Sequence, residues 1–221
     1  MSAPPELLLP RVGLYGGTFD PIHAGHLFAA RTALERAGLD ALVLVPAALS
    51  PHKRSGPAVS DSDRLDLVRA AVACEPRLAV WDVELRRGGV SYTVDTVEEA
   101  RRLRGPDAPM LALVVGSDNL AALDRWHRAV ELLELVRPVV VPRHPRAEVE
   151  RLLAALDGRL PSSTARRVRD GLVDVDAVHP ASATRLREEL AHGRCPEGWL
   201  PDAVLAIVRE RGLYAAGAHG A

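Results

Sequence analysis

The 221 residues carry 28 Lys and Arg against 29 Asp and Glu, a formal net charge of −1, with 48% hydrophobic and only 4% aromatic residues. That length and apolar share allow a sizeable core, mainly aliphatic, and no apolar run approaches the ~20 residues that span a bilayer. The balanced charge lacks the basic excess of a nonspecific nucleic-acid binder, so any anion binding should be local.

The opening MSAPPELLLPR has no basic n-region and does not read as a secretory signal. The apolar run 12–15 reads as a first strand, left through Gly16 and Gly17. Leu27, Ala30, Ala33 and Leu34 then form a helical stripe that stops at Gly38. A second strand follows at 41–45. Ser60 or Asp61 can cap a helix carrying Leu65, Val68 and Val72, and Cys74 is expected in its core face. Residues 78–83 read as a third strand, and Val97, Ala100 and Leu103 as a helix before Gly105. Strands are expected at 110–115 and 138–141, a helix at 147–156, an exposed connection at 158–169, and a sixth strand at 172–178. Pro201 and Gly212 frame a last helix around DAVLAIVRER.

Continuously apolar strands such as LVLV and LALVV belong in a sheet covered on both faces. Alternating with helices, they predict an α/β fold: one domain over 1–221 with a doubly wound, mainly parallel sheet. Ligands of such sheets lie beyond the carboxyl ends of the strands. The loops there hold GGTFDPIHAGH, PAALSPHK, RRGGVSYT and GSD, with HPASATRLR after the last run. Cys74 and Cys195 match no metal or redox spacing, which points to a reducing, cytoplasmic setting.

Gly16 and Gly17 lack a Cβ, so backbone N–H groups there can approach an anion. Neither GxGxxG nor GxxxxGK[ST] is present. His23 and His26, three apart at a helix start, can present imidazoles on one side, where the helix terminus favours phosphate. Phosphate contact, core packing and a metal site all remain open for this pair on spacing alone, although no HExxH or cysteine pair completes a zinc site.

GGTFDPIHAGH resembles the (T/H)xGH signature of the nucleotidyltransferase superfamily, in the form carried by bacterial nicotinate-nucleotide adenylyltransferases, with HxGH at 23–26. The likeness extends through SPHK at 50–53, SYTVDT at 91–96, GSDN at 116–119, Trp126, the SxTxxR pattern at 182–187 and the terminal VRERGLY. It implies a Rossmann-like nucleotidyltransferase fold that transfers an adenylyl group from ATP to nicotinate mononucleotide, with Mg²⁺ assisting and pyrophosphate leaving. By the same likeness His23, His26 and Lys53 are catalytic. Gly16, Gly17, Thr18, Phe19, His23, His26, Gly116, Ser182, Thr184 and Arg187 meet ATP. Lys53, Tyr92, Thr93, Asp118 and Trp126 meet nicotinate mononucleotide, and no residue is assigned to a protein-bound metal. Ala183 replaces the hydroxyl residue usual in that motif, leaving only its backbone N–H. Trp81, Trp199 and His179 read as structural, and His52 is left without a role. Pantetheine-phosphate adenylyltransferase, a shorter relative without SYTxDT, and a nonenzymatic nucleotide sensor are the alternative functions. Neither nucleic acid nor membrane is an expected partner, and a homo-oligomer is compatible with the sequence.

Overall fold

The computed structural model of the protein describes residues 3–51 and 56–216. Five strands, β1 (Val12–Gly17), β2 (Ala41–Pro46), β3 (Leu78–Val80), β4 (Ala112–Gly116) and β5 (Arg137–Val141), form one sheet in the order β3-β2-β1-β4-β5. Every pairing is parallel, with Leu14 level with Val43 on one side and Leu113 on the other. The order reverses between β1 and β4, which opens a crevice beyond their carboxyl ends.

Alternate residues of each strand face opposite layers, and both layers are apolar. Leu42, Leu44 and Val114 pack with α1 (Ala24–Arg36), α2 (Asp61–Val72), α8 (Ala183–Ala191) and α9 (Asp202–Glu210). Val12, Leu14, Val43 and Val115 instead face α3 (Val83–Arg87), α4 (Thr93–Arg104) and α5 (Ala129–Leu135). A third cluster joins the 3₁₀ segment Ser117–Arg125 to α6 (Arg146–Leu156) and α7 (Ser162–Asp170). Among the described residues no helix is long and apolar enough to cross a membrane.

Four expectations need correction. The run 172–178 is not a strand: Leu172 makes a single parallel bridge to Val140, and Asp174, exposed, reaches out to Arg146. Asp174 and Asp176, on one side of the run, deny the segment a second buried face, so the edge of the sheet ends at β5. The expected connection 158–169 instead contains α7, whose Thr164, Ala165 and Val168 are buried. Strand β3 stops at Val80, and Val83 already begins α3. Cys74 lies exposed beyond the end of α2, outside the core.

Candidate active site

The loops after β1 and β4 form the walls of a cavity of about 360 Å³. Gly16, Gly17, Thr18, His23 and His26 line it from the first loop, Gly116, Asp118 and Trp126 from the loop after β4, and Tyr92 and Thr93 from the start of α4. Ser182, Ala183 and Thr184 close it from the start of α8. The structure thus brings to one cavity residues that stand up to 169 positions apart, from Tyr15 to Thr184.

The glycines are explained by their surroundings. A Cβ on Gly17 would come within 3.0 Å of the Phe19 ring, and one on Gly25 within 3.0 Å of the Ala181 carbonyl and 3.1 Å of the His23 ring. Gly16 differs: a Cβ there would meet nothing within 4 Å. It borders open cavity.

His23 precedes α1 in extended backbone and is almost wholly buried. Its Nδ1 finds no hydrogen-bond partner among the described residues. Burial, with Arg143 and His179 adding to it, holds the imidazole down to about 3, so it is neutral at physiological pH. His23 N–H donates to His26 Nδ1 at 3.2 Å, and an accepting Nδ1 puts the hydrogen of the neutral His26 ring on Nε2. The start of α1 is less open than an isolated helix terminus, because Ala24 N–H is spent on the Trp199 carbonyl at 2.9 Å. Trp199, read as structural, also lies 5.2 Å beneath the Arg185 guanidinium.

Two residues of the expected ATP set stand apart from the cavity. Phe19 is buried in a left-handed backbone conformation (φ 47°), with its ring edge-on to Tyr15 and His26 at 5.7 and 5.0 Å. The apolar ring, seated among its neighbours, braces His26, and the ATP contact expected of Phe19 is one of its backbone. Arg187 donates to the Asp20 carbonyl at 2.7 Å and lies 3.9 Å from its carboxylate. It ties α8 to the first loop from behind. Lys53 and His52 lie outside the described residues, although Ser50 and Pro51, just before them, line the cavity. His179 accepts from Ala181 N–H at 3.2 Å, in keeping with a structural role. Trp126 follows the 3₁₀ segment in extended backbone.

Arg143 lines the cavity and was absent from the expected site. Its N–H donates to Ser117 Oγ at 2.8 Å, and its guanidinium donates to the carbonyls of Ala181 at 3.1 Å and Gly25 at 3.4 Å. The backbone of Arg143 therefore meets the residue after β4, while its side chain links α1 to the segment before α8 and places a fixed cation beside His23 and His179. Its signal lies in the sequence: PRHPR follows the fifth strand at the same carboxyl edge as the other loops. Tyr15, Glu84, Ser91 and His127 also line the cavity. Burial pushes the Tyr15 phenol up to about 12. His127 lies against Tyr92 with ring centroids 4.3 Å apart.

Arg64 supports the site from below. Fully buried, it donates to the Thr18 carbonyl at 2.6 Å and the Ala48 carbonyl at 3.5 Å, joining the loops after β1 and β2.

Residues 14–189 match the Cytidylyltransferase-like family. A protein of Dehalococcoides mccartyi named "Probable nicotinate-nucleotide adenylyltransferase" is 36% identical over 204 residues, 92% of this chain and 97% of its own. One of the same name from Pseudomonas putida is 42% identical over 213 residues, 93% and 95% of the two chains. The fold is shared with the solved structure "Plasmodium falciparum nicotinic acid mononucleotide adenylyltransferase complexed with NaAD", at a TM-score of 0.70 and 14% identity over 92% of this chain and 96% of that one. The chain belongs to the nicotinate-nucleotide adenylyltransferase family, within the cytidylyltransferase-like proteins.

Proposed function

We propose that the protein transfers the adenylyl group of ATP to nicotinate mononucleotide, forming deamido-NAD and pyrophosphate as a step of NAD biosynthesis. One observation carries this reading: most motif residues expected to meet ATP, and Tyr92, Thr93, Asp118 and Trp126 of those expected to meet the acceptor, line the same cavity. The reaction needs no nucleophilic side chain. An already ionised phosphate oxygen of the acceptor attacks the α-phosphorus, the bond to pyrophosphate breaks, and the protein positions both and offsets developing charge.

His26, Arg143 and the backbone around Gly16, Gly17 and Thr18 are suited to hold the triphosphate. His23, neutral and stacked on His26, positions it. Ser182 and Thr184 approach from α8, Ser182 being partly engaged in accepting from Arg185 N–H. Tyr92, Thr93, Asp118 and Trp126 take the acceptor, Trp126 by stacking on its ring. Lys53 is proposed to add a phosphate contact from the loop after β2. Mg²⁺ enters with the triphosphate as part of the substrate, where it screens the phosphate charge. Among the described residues no group of three His, Cys, Asp or Glu is placed to hold a metal by itself, and a phosphate-borne Mg²⁺ needs none. A cytoplasmic location accompanies this reading.

The test is pyrophosphate release with MgATP and, in turn, nicotinate mononucleotide, nicotinamide mononucleotide and phosphopantetheine. Nicotinate mononucleotide is expected to dominate. Dominance of phosphopantetheine overturns the acceptor, and absence of turnover with all three overturns the enzyme.

A further inference from the structure

A buried carboxylate lies against the acceptor side of the cavity and takes no part in the reaction described above. Glu84, on the short helix α3, lines the cavity yet is only 5% exposed. Thr96 Oγ1 donates to its Oε1 at 2.6 Å, and the Ser91 hydroxyl is its second donor. Arg87 completes the group at longer range, with its Nη1 3.4 Å from Thr96 Oγ1.

These two donors bracket Tyr92 and Thr93 in the chain, the pair with which α4 begins and which lines the cavity. Ser91 reaches further, since its Oγ accepts from Ala48 N–H at 2.9 Å and its own N–H donates to the Leu49 carbonyl at 2.9 Å. A single carboxylate therefore joins α3, the entry to α4 and the segment after β2. Burial pushes its carboxyl upward and the two hydroxyls pull it back. A hydrophobic side chain of similar volume would fill this place at lower desolvation cost, so stability alone gives no reason for the carboxylate.

We propose that Glu84 is a positioning residue for the acceptor: through Ser91 and Thr96 it sets the start of α4 so that the N–H groups there meet the acidic substituent of the acceptor ring. The proposal rests on the functional reading above. It gives Glu84 no role in proton transfer, because the attacking phosphate oxygen is already ionised. It predicts an effect on acceptor recognition and none on ATP.

The experiment compares wild type, Glu84→Gln, Glu84→Ala and Thr96→Val in pyrophosphate release, varying nicotinate mononucleotide, its amide and MgATP separately, with circular dichroism to check folding. Glu84→Ala is expected to raise the KM for nicotinate mononucleotide about tenfold, the scale of losing a charge-assisted bond, and to narrow the acid-to-amide ratio of kcat/KM. The KM for ATP should stay within about twofold. Glu84→Gln keeps a carbonyl for Thr96 but turns an NH₂ toward Ser91, so it should recover part of the loss. Should Glu84→Ala fail to fold, Glu84→Gln and Thr96→Val carry the test, each shifting the same KM in the same direction. Folded variants with wild-type acceptor KM and selectivity, or with ATP affected as strongly as the acceptor, overturn the proposal alone. A wild type that turns over no acceptor removes the functional reading and this proposal with it.

Discussion

The imidazoles of His23 and His26 stack with centroids 3.8 Å and planes 28° apart, while the His23 N–H donates to His26 Nδ1. Two imidazolium ions could not share that spacing, and burial keeps His23 neutral. With Nδ1 accepting, the hydrogen of the neutral His26 ring lies on Nε2, beside a neighbour that does not compete with it for charge.

His26→Ala should lower kcat by roughly 10²–10³, the loss of one preorganised donor at the transferred phosphorus. Native stability should change little, as His26 is only partly buried. Steady-state rates and a thermal melt on the same preparation decide the matter; near-normal turnover would make the imidazole purely structural.

His23 makes stability depend on acid. Its folded value is about 3 and an unfolded histidine titrates near 6.5, so below that point the unfolded chain binds a proton that the native one refuses. Stability is complete above pH ~6.5 and falls toward pH ~3, by at most about 1.4 kcal/mol per unit. Urea unfolding at pH 7.5 and 5.0 should show His23→Asn losing about 2 kcal/mol less than wild type over that interval. Equal losses would refute the assignment.

Two glycines of the first loop should respond oppositely to alanine. At Gly25 the methyl meets the Ala181 carbonyl and the His23 ring, so Gly25→Ala should cost about 1–3 kcal/mol and impair catalysis by shifting that ring. At Gly16 the methyl enters open space on the cavity wall, so Gly16→Ala should melt like wild type yet bind ATP poorly. Melting temperature set beside the ATP KM separates the two.

Tyr214 closes the chain onto the first loop: its hydroxyl donates to Asp20 Oδ1 at 3.0 Å. Asp20 Oδ2 accepts from Ala58 N–H at 2.8 Å. Tyr214→Phe leaves Oδ1 buried without this donor and should cost about 1–3 kcal/mol. Chemical denaturation measures it, and an unchanged midpoint would mean that Asp20 is satisfied otherwise.

The acid acceptor should exceed the amide by at least about tenfold in kcat/KM, because N–H donors at the start of α4 leave the amide NH₂ unpaired. Trp126→Ala should weaken both acceptors and spare the ATP KM. Equal efficiency with acid and amide would remove the proposed pocket.

Local rules carried much of this molecule. Apolar runs, several of them continuous, located the five strands, since a strand buried on both faces can tolerate little else, and the glycines and prolines marked most helix ends. The HxGH and SYT segments announced a ligand site because each follows a strand at one edge of a parallel sheet. Other features depended on packing. Asp174 and Asp176 leave 172–178 without a second apolar face, and only the edge position beside β5 reveals that the run makes one bridge and stops. Phe19 and Arg187 belong to matching motifs, yet one side chain packs inward and the other turns back to Asp20, because orientation is set by neighbours distant in sequence. Arg143 and Glu84 enter the cavity through contacts with Ala181, Gly25, Thr96 and Ser91, residues brought beside them by the crossovers between strands. Sequence alone determined which chemistry was present and on which edge of the sheet; only the tertiary structure decided which side chains meet there, because such contacts join segments far apart, 118 residues from Arg143 to Gly25 and 167 from Arg187 to Asp20, and no local rule spans that distance.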